Sequence, residues 1–269
     1  MALYVVLLLI GGFVAFIHCL SRRSFKLDRS LVSAWRIPPP DFGFFVASLA
    51  LAFILVQLLF AALVPAPGED AALSPRLMLF GGALSQLTFI AVWAFFRVNS
   101  PQHFRTPLSF APISWSASAL WALYAFLAFI PVFTIVNVAW GLTLDTVAPE
   151  ALRTQEMVNA LMDATSIPLL AGMFVLLVVI APIAEELIFR GCLYRYLKGI
   201  MPMVGAVAVS SVIFGAIHLH LAGLPVLIAF GALLCFVYEK TGSLRVPVLL
   251  HAVFNLNTFV LTLLQTGGD

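Results

Sequence analysis

Two adjacent carboxylates, Glu185 and Glu186, interrupt an otherwise apolar stretch, Ile180-Ala-Pro-Ile-Ala-Glu-Glu-Leu-Ile-Phe-Arg190. An ionisable side chain at the centre of a membrane span costs about 3 kcal/mol on insertion scales, so each one asks for a partner or a task. Neighbouring side chains on a helix project about 100° apart, so the two carboxylates cannot serve one site side by side. Glu186 and Arg190 stand four residues apart with the acid first, the favourable order for a helical ion pair. Glu185 is then left to face a cavity. Pro182 has no N–H to donate and is expected to kink the helix just before the pair.

Two further elements add groups of the same kind. Phe214-Gly-Ala-Ile-His218 places an imidazole in an apolar run, with His220 nearby as a packing or interfacial residue. His251-Ala-Val-Phe-Asn255 places an imidazole and an amide one turn apart on one helix face. Asn257 lies off that face. Two carboxylates, two imidazoles, an amide and a guanidinium supply what peptide hydrolysis requires. A carboxylate can act as general base on water, an imidazole can hold that water, and donors can stabilise the oxyanion.

The elements that must position these groups follow from the composition. The 269 residues are 62% hydrophobic and 10% charged, with a mean hydropathy of +1.09. Soluble domains carry roughly 45–50% apolar and ~25% charged residues, so the surface of this chain belongs in lipid. The formal net charge of +2 comes from basic residues scattered between apolar runs, which makes no nucleic-acid surface. Runs long enough to span fall near 2–20, 42–64, 77–96, 116–142, 168–189, 203–219, 224–238 and 246–265, the sixth and seventh being the shortest. They are continuously apolar rather than alternating, which predicts helices and not a barrel. The expected fold is an all-α polytopic transmembrane bundle of about eight spans. It forms one domain over 1–269, with the chemistry in 168–265.

Orientation follows from the basic residues. With the 21–41 loop in the cytoplasm, alternation puts Arg22, Arg23, Lys26, Arg29, Arg36, Arg97, Arg105, Arg190, Arg195, Lys198, Lys240 and Arg245 on that side. Only Arg76 and Arg153 remain outside, the bias that the positive-inside rule expects. Both termini are then external. Met1 to Leu20 has its positive charges after the apolar run, at Arg22 and Arg23, and so reads as a first span rather than a cleaved signal. The acidic stretch 143–167 suits a short helix on the outer surface or a plain loop helix. Cys19, Cys192 and Cys235 lie far apart in apolar segments and read as buried small hydrophobes.

The three polar stretches resemble the CAAX prenyl protease and bacteriocin-processing family of intramembrane peptidases (CPBP, also called ABI). That pattern is Glu-Glu-x-x-x-Arg, Phe-x-x-x-His and His-x-x-x-Asn or Asp on successive helices. Here the positions are Glu185-Glu186 with Arg190, Phe214 with His218, and His251 with Asn255. The resemblance covers about 170–260; the first 165 residues carry no family signal. It implies an endopeptidase, like the type II CAAX prenyl endopeptidase, that hydrolyses a peptide bond near or within the membrane. Glu185 would activate water, with His218 helping to position it. Glu186 and Arg190 would support the site, and His251 and Asn255 would form an oxyanion hole. The mechanism is glutamate-dependent or metal-dependent. In the metal-dependent form Glu185, His218 and His251 would hold a divalent metal, zinc being the candidate, with one position left for water.

The implied partners are a peptide or membrane-protein substrate and the bilayer. The implied location is the plasma or inner membrane, with the site in the cytoplasmic half. Two alternatives use the same residues: a proton-coupled transporter, or a catalytically silent scaffold or immunity factor of the same fold. The span boundaries put Glu185 and His251 within roughly 10 Å of the cytoplasmic surface but His218 roughly 22 Å from it, so the expected depths disagree.

Overall fold

The computed structural model describes residues 2–21, 30–64, 74–100, 104, 113–149, 161–162 and 166–266. Eight long helices order the described residues: α1 (Ala2–Ser21), α2 (Pro39–Leu63), α3 (Pro75–Asn99), α4 (Trp115–Val147), α5 (Ile167–Ile200), α6 (Met203–Ala216), α7 (Leu224–Thr241) and α8 (Arg245–Thr266). Their boundaries have local causes. The hydroxyls of Ser74 and Ser114 accept from Leu77 N and Ala117 N, capping α3 and α4. Prolines sit in the first turns of α2 and α3, where no N–H partner is lost. Gly242 closes α7 in the left-handed conformation, at φ 64°, with its N–H on Tyr238 O.

Among the described residues, seven helices are long and apolar enough to cross a membrane. The exception is α6, whose 14 residues rise only about 21 Å. The sixth apolar run is therefore not a full span. It forms a hairpin with α7, held at close range by small residues. A Cβ on Gly215 would lie 2.8 Å from Ile228 Cγ1, and one on Gly231 would lie 3.0 Å from Ser211 Cα. The hairpin tip is tied to α4 where Trp140 Nε1 donates to Leu221 O at 2.9 Å.

The disagreement in depth comes from the expected end of the fifth span. That helix does not stop at 189 but continues to Ile200. Glu185 is thus fifteen residues from the end of α5, and His218 is fifteen residues from the start of α6. Both rise roughly 22 Å from the turn that joins these helices. The α7–α8 connection is set higher than that turn, because Tyr194 already reaches Glu239, near the end of α7, at 2.7 Å. His251 therefore stands at the same level although it is only six residues into α8.

Residues 30–38 pack beneath this projecting end of α5. Trp35 N donates to Arg195 O at 2.9 Å, and Arg195 returns bonds to Ser33 O and Ser33 Oγ. Lys198 and Ser30 both bond to the buried Glu239 carboxylate. Helix α4 runs on to Val147 rather than ending at 142. Most of the expected acidic surface helix lies outside the described residues, although Leu161 is buried with Met173 and Phe259. Cys19, Cys192 and Cys235 are free and buried, as expected.

Candidate active site

Helix α5 changes its winding around the two glutamates. Val175–Ile180 and Leu187–Tyr194 are π-helical and flank the α-helical Ala181–Glu186. Such wide turns are frequent at functional sites. In the first of them Ala181 N–H reaches back five residues to Leu176 O. The next bond in that register would run from residue 182 to Leu177 O, and Pro182 has no N–H to make it. Asn255 Nδ2 makes it instead, donating to Leu177 O at 2.8 Å. The expected disturbance at Pro182 is thus a local rewinding whose orphaned carbonyl is bonded from α8. This uses one of the two N–H donors of Asn255.

Glu186 and Arg190 are fully buried. Arg190 Nη1 donates to Glu186 Oε1 at 2.9 Å, and Nη2 donates to Gly231 O at 3.1 Å. The guanidinium also lies 4.3 Å from the centre of the Phe214 ring, a favourable cation–π distance. Glu186 Oε1 takes a second bond from His251 Nδ1 at 3.0 Å. A carboxylate accepts, so the imidazole donates from Nδ1 and, when neutral, presents a lone pair at Nε2. Arg195, the other nearby cation, bonds to Ser33 rather than to either glutamate.

Glu185 points the other way. Its Oε1 accepts from Gln86 Nε2 at 3.0 Å. Its Oε2 has no hydrogen-bond partner among the described residues and lies 3.8 Å from His218 Nε2 and 3.9 Å from His251 Nε2. His218 donates from Nδ1 to Phe214 O at 2.7 Å, which again leaves Nε2 as an acceptor in the neutral ring. Phe214 therefore supplies a carbonyl to one imidazole and packs its ring against both, with centroids 4.9 Å from His218 and 5.8 Å from His251. Three acceptor atoms, from α5, from the turn after α6 and from α8, face one point. The gaps are too long for direct bonds and suit one bridging water.

Two cavities meet at this point. One, of about 570 Å³, runs between α2, α3, α5 and α6, lined by Phe45, Leu49, Phe89 and Ile188 and ending on Gln86, Glu185 and His218. The other, of about 530 Å³, shares those three residues but is walled by His220, His251, Asn255, Thr258 and Thr262. His220 thus lines the more polar chamber without joining the converging trio. Asn257 is directed elsewhere, accepting from Tyr4 OH at 2.9 Å.

The donor types of Glu185, His218 and His251 fit a zinc ion. Each imidazole gives its other ring N–H to a carboxylate or a carbonyl, as metal-bound histidines commonly do. The spacing does not fit as well. Ligand atoms around tetrahedral zinc stand roughly 3.4 Å apart. Among the described residues no group of three or more His, Cys, Asp or Glu is arranged to hold a metal ion.

With this geometry in view, residues 167–257 match the family described as "Type II CAAX prenyl endopeptidase Rce1-like". That stretch belongs to the Rce1-like family. The family match contains every member of the three motifs and excludes α1–α4. Two curated relatives are similar to the chain. One, named "Putative membrane peptidase YdiL" of Bacillus subtilis (strain 168), is 34% identical over 109 residues, covering 40% of this chain and 43% of the relative. The other, named "Membrane-embedded CAAX protease MroQ" of Staphylococcus aureus (strain USA300), is 34% identical over 83 residues, covering 29% of this chain and 34% of the relative. The matches thus span less than half the length of either relative. No solved structure matches the chain. With seven long apolar helices among the described residues, the chain is an integral membrane protein.

Sequence reasoning missed two residues. Gln86 bonds the unpaired glutamate from α3, and its only signal was a lone amide in an apolar run. Glu239, nearly fully buried, joins Tyr194, Lys198 and Ser30 at the end of α7, just past the expected end of that span at 238.

Proposed function

We propose that the chain is an intramembrane endopeptidase in which Glu185 is the general base. The observation that carries this reading is Glu185 Oε2, unbonded and held 3.8 and 3.9 Å from two imidazole Nε2 atoms. A water at that point gives one hydrogen to Glu185 and the other to His218 Nε2. Glu185 takes the proton as the water oxygen attacks the scissile carbonyl carbon, and later passes it to the leaving amine as the C–N bond breaks. The second N–H of Asn255 and a protonated His251 are the donors for the oxyanion. Glu186, bonded to its Nδ1, holds the His251 ring in place for that task. Arg190 holds the Glu186 carboxylate that bonds His251, so this pair acts through His251.

The proposed substrate is a peptide or membrane-protein segment whose apolar part enters from the cavity between α2 and α3. The family and the names of both relatives support a peptidase, and a prenylated tail is the natural first probe. The end of the molecule bearing Arg195, Lys198 and Arg245 is proposed to face the cytoplasm. The site then opens about 22 Å from that end of α5.

The experiment uses the purified full chain in liposomes with a farnesylated peptide ending in a Cys-aliphatic-aliphatic-X tail, and products are read by mass spectrometry. Wild type is expected to cleave the tail. Glu185→Gln is expected to lose a factor of about 10²–10⁴ in turnover while remaining monodisperse in detergent. Undiminished turnover in that variant rejects Glu185 as the base, and an inert wild type rejects the peptidase. Dialysis against a chelator is expected to leave turnover unchanged.

A further inference from the structure

Gln86 lies on α3, outside both the family match and the three motifs. Its Nε2 nevertheless makes the shortest polar contact of the Glu185 carboxylate among the described residues, 3.0 Å to Oε1. An ionised carboxylate can only accept, so the amide must present its nitrogen there. Gln86 Oε1 is left buried and without a partner among the described residues. The same side chain lines both cavities, at the line where they meet.

The approach of α3 to α5 that permits this contact is tightly made. A Cβ on Gly172 would fall 2.7 Å from Leu79 Cδ2, so the glycine leaves Leu79 its packed position between the two helices two turns before Gln86. On the other flank Gln57 of α2 donates to Ser85 Oγ at 2.7 Å, fixing the residue next to Gln86. A carboxylate with one oxygen tethered and the other free has a defined aim. Without the tether, Glu185 can rotate about its last torsion, a broad and roughly two-fold one, and Oε2 leaves the point between the imidazoles.

We infer that Gln86 is a positioning residue for the Glu185-dependent reaction, tying Oε1 so that Oε2 faces His218 and His251. This rests on the peptidase reading above, and its test has one readout that needs no turnover. Infrared difference spectra between wild type and Glu185→Gln, in nanodiscs at fixed pH, isolate the Glu185 carboxylate stretch. Gln86→Leu and Gln86→Met, similar in size but without a donor, are expected to shift that band.

With the farnesylated probe, both variants are expected to lower kcat about ten- to a hundredfold, the scale of a small misplacement of a catalytic group, with KM changed by less than about twofold. On a Glu185→Asp background, whose shorter carboxylate cannot reach the amide, Gln86→Leu is expected to cost less than about twofold more, because coupled residues are not additive. An unmoved band overturns the inference, and so does an equal loss on both backgrounds. If the band moves but wild type cleaves nothing, the contact stands. The peptidase reading then falls, and with it the role inferred for Gln86.

Discussion

Helices α2 and α5 are similarly apolar in sequence, yet 6% of the most apolar window of α2 is buried and 33% of that of α5. The difference is where each presents its side chains. Helix α2 turns Phe44, Leu51, Leu55 and Leu58 outward and forms part of a sheath. Helix α5 is enclosed by α3, α6, α7 and α8, and it carries Glu186, Arg190 and Arg195 almost wholly out of contact with the surroundings. Hydrophobicity marks both as membrane segments but does not separate wall from core. What separates them is how closely their polar groups are matched. In α5 a charge is tolerated because its partner arrives from a particular neighbour, so the inner helices should be intolerant of change and the sheath permissive.

The contrast can be tested by substitutions of decreasing expected effect, each read as a change in unfolding free energy by SDS titration in mixed micelles. Arg190→Leu removes the cation from a fully buried pair and leaves Glu186 uncompensated, so a loss of about 3–5 kcal/mol is expected. A change below about 1 kcal/mol would mean that the pair is solvated and that the inner region is not what the burial implies. Gly231→Ala drives a Cβ to 3.0 Å from Ser211 Cα, a backbone atom that cannot swing aside. About 2 kcal/mol is expected there from overpacking.

Asn255→Leu removes the donor to Leu177 O and leaves that half-buried carbonyl unbonded, for about 1 kcal/mol. If Asn255→Leu loses turnover but no stability, the bond to Leu177 O is dispensable and the amide serves the reaction alone. Smallest of all, Leu58→Ala in the sheath, where the side chain is exposed, is expected to change stability by less than about 0.5 kcal/mol. A loss there equal to that of Gly231→Ala would erase the distinction between the two regions.

Much of the inner region could be read from the order of residues. The Glu186–Arg190 pair follows from helical spacing, and the structure closes it at 2.9 Å. The division of labour between the two glutamates follows from their angular separation. The motif positions on α5, on α8 and at the end of α6 were legible because polar groups in apolar runs are costly and therefore conspicuous. The depth of the site was not legible. The fifth apolar run ends at Phe189, just before Arg190, whereas Glu186 and Ser33 bond Arg190 and Arg195 within the protein and the helix continues to Ile200. The short reach of α6 was likewise hidden, since its apolar run continues into the non-helical turn at 217–219.

A membrane-embedded helical chain, an ion pair between residues four apart and a set of polar groups in apolar runs can all be read from amino-acid order alone. Those features depend on local periodicity and on the solvation cost of single residues, which the order of amino acids contains. Helix packing, in contrast, brings Gln86 to Glu185, lets Asn255 bond the carbonyl orphaned by Pro182, and sets His218 and His251 within 4 Å of one carboxylate oxygen. Each of these joins helices distant in sequence. Their closeness is set by small residues such as Gly172, Gly215 and Gly231, whose packing partners no local pattern names.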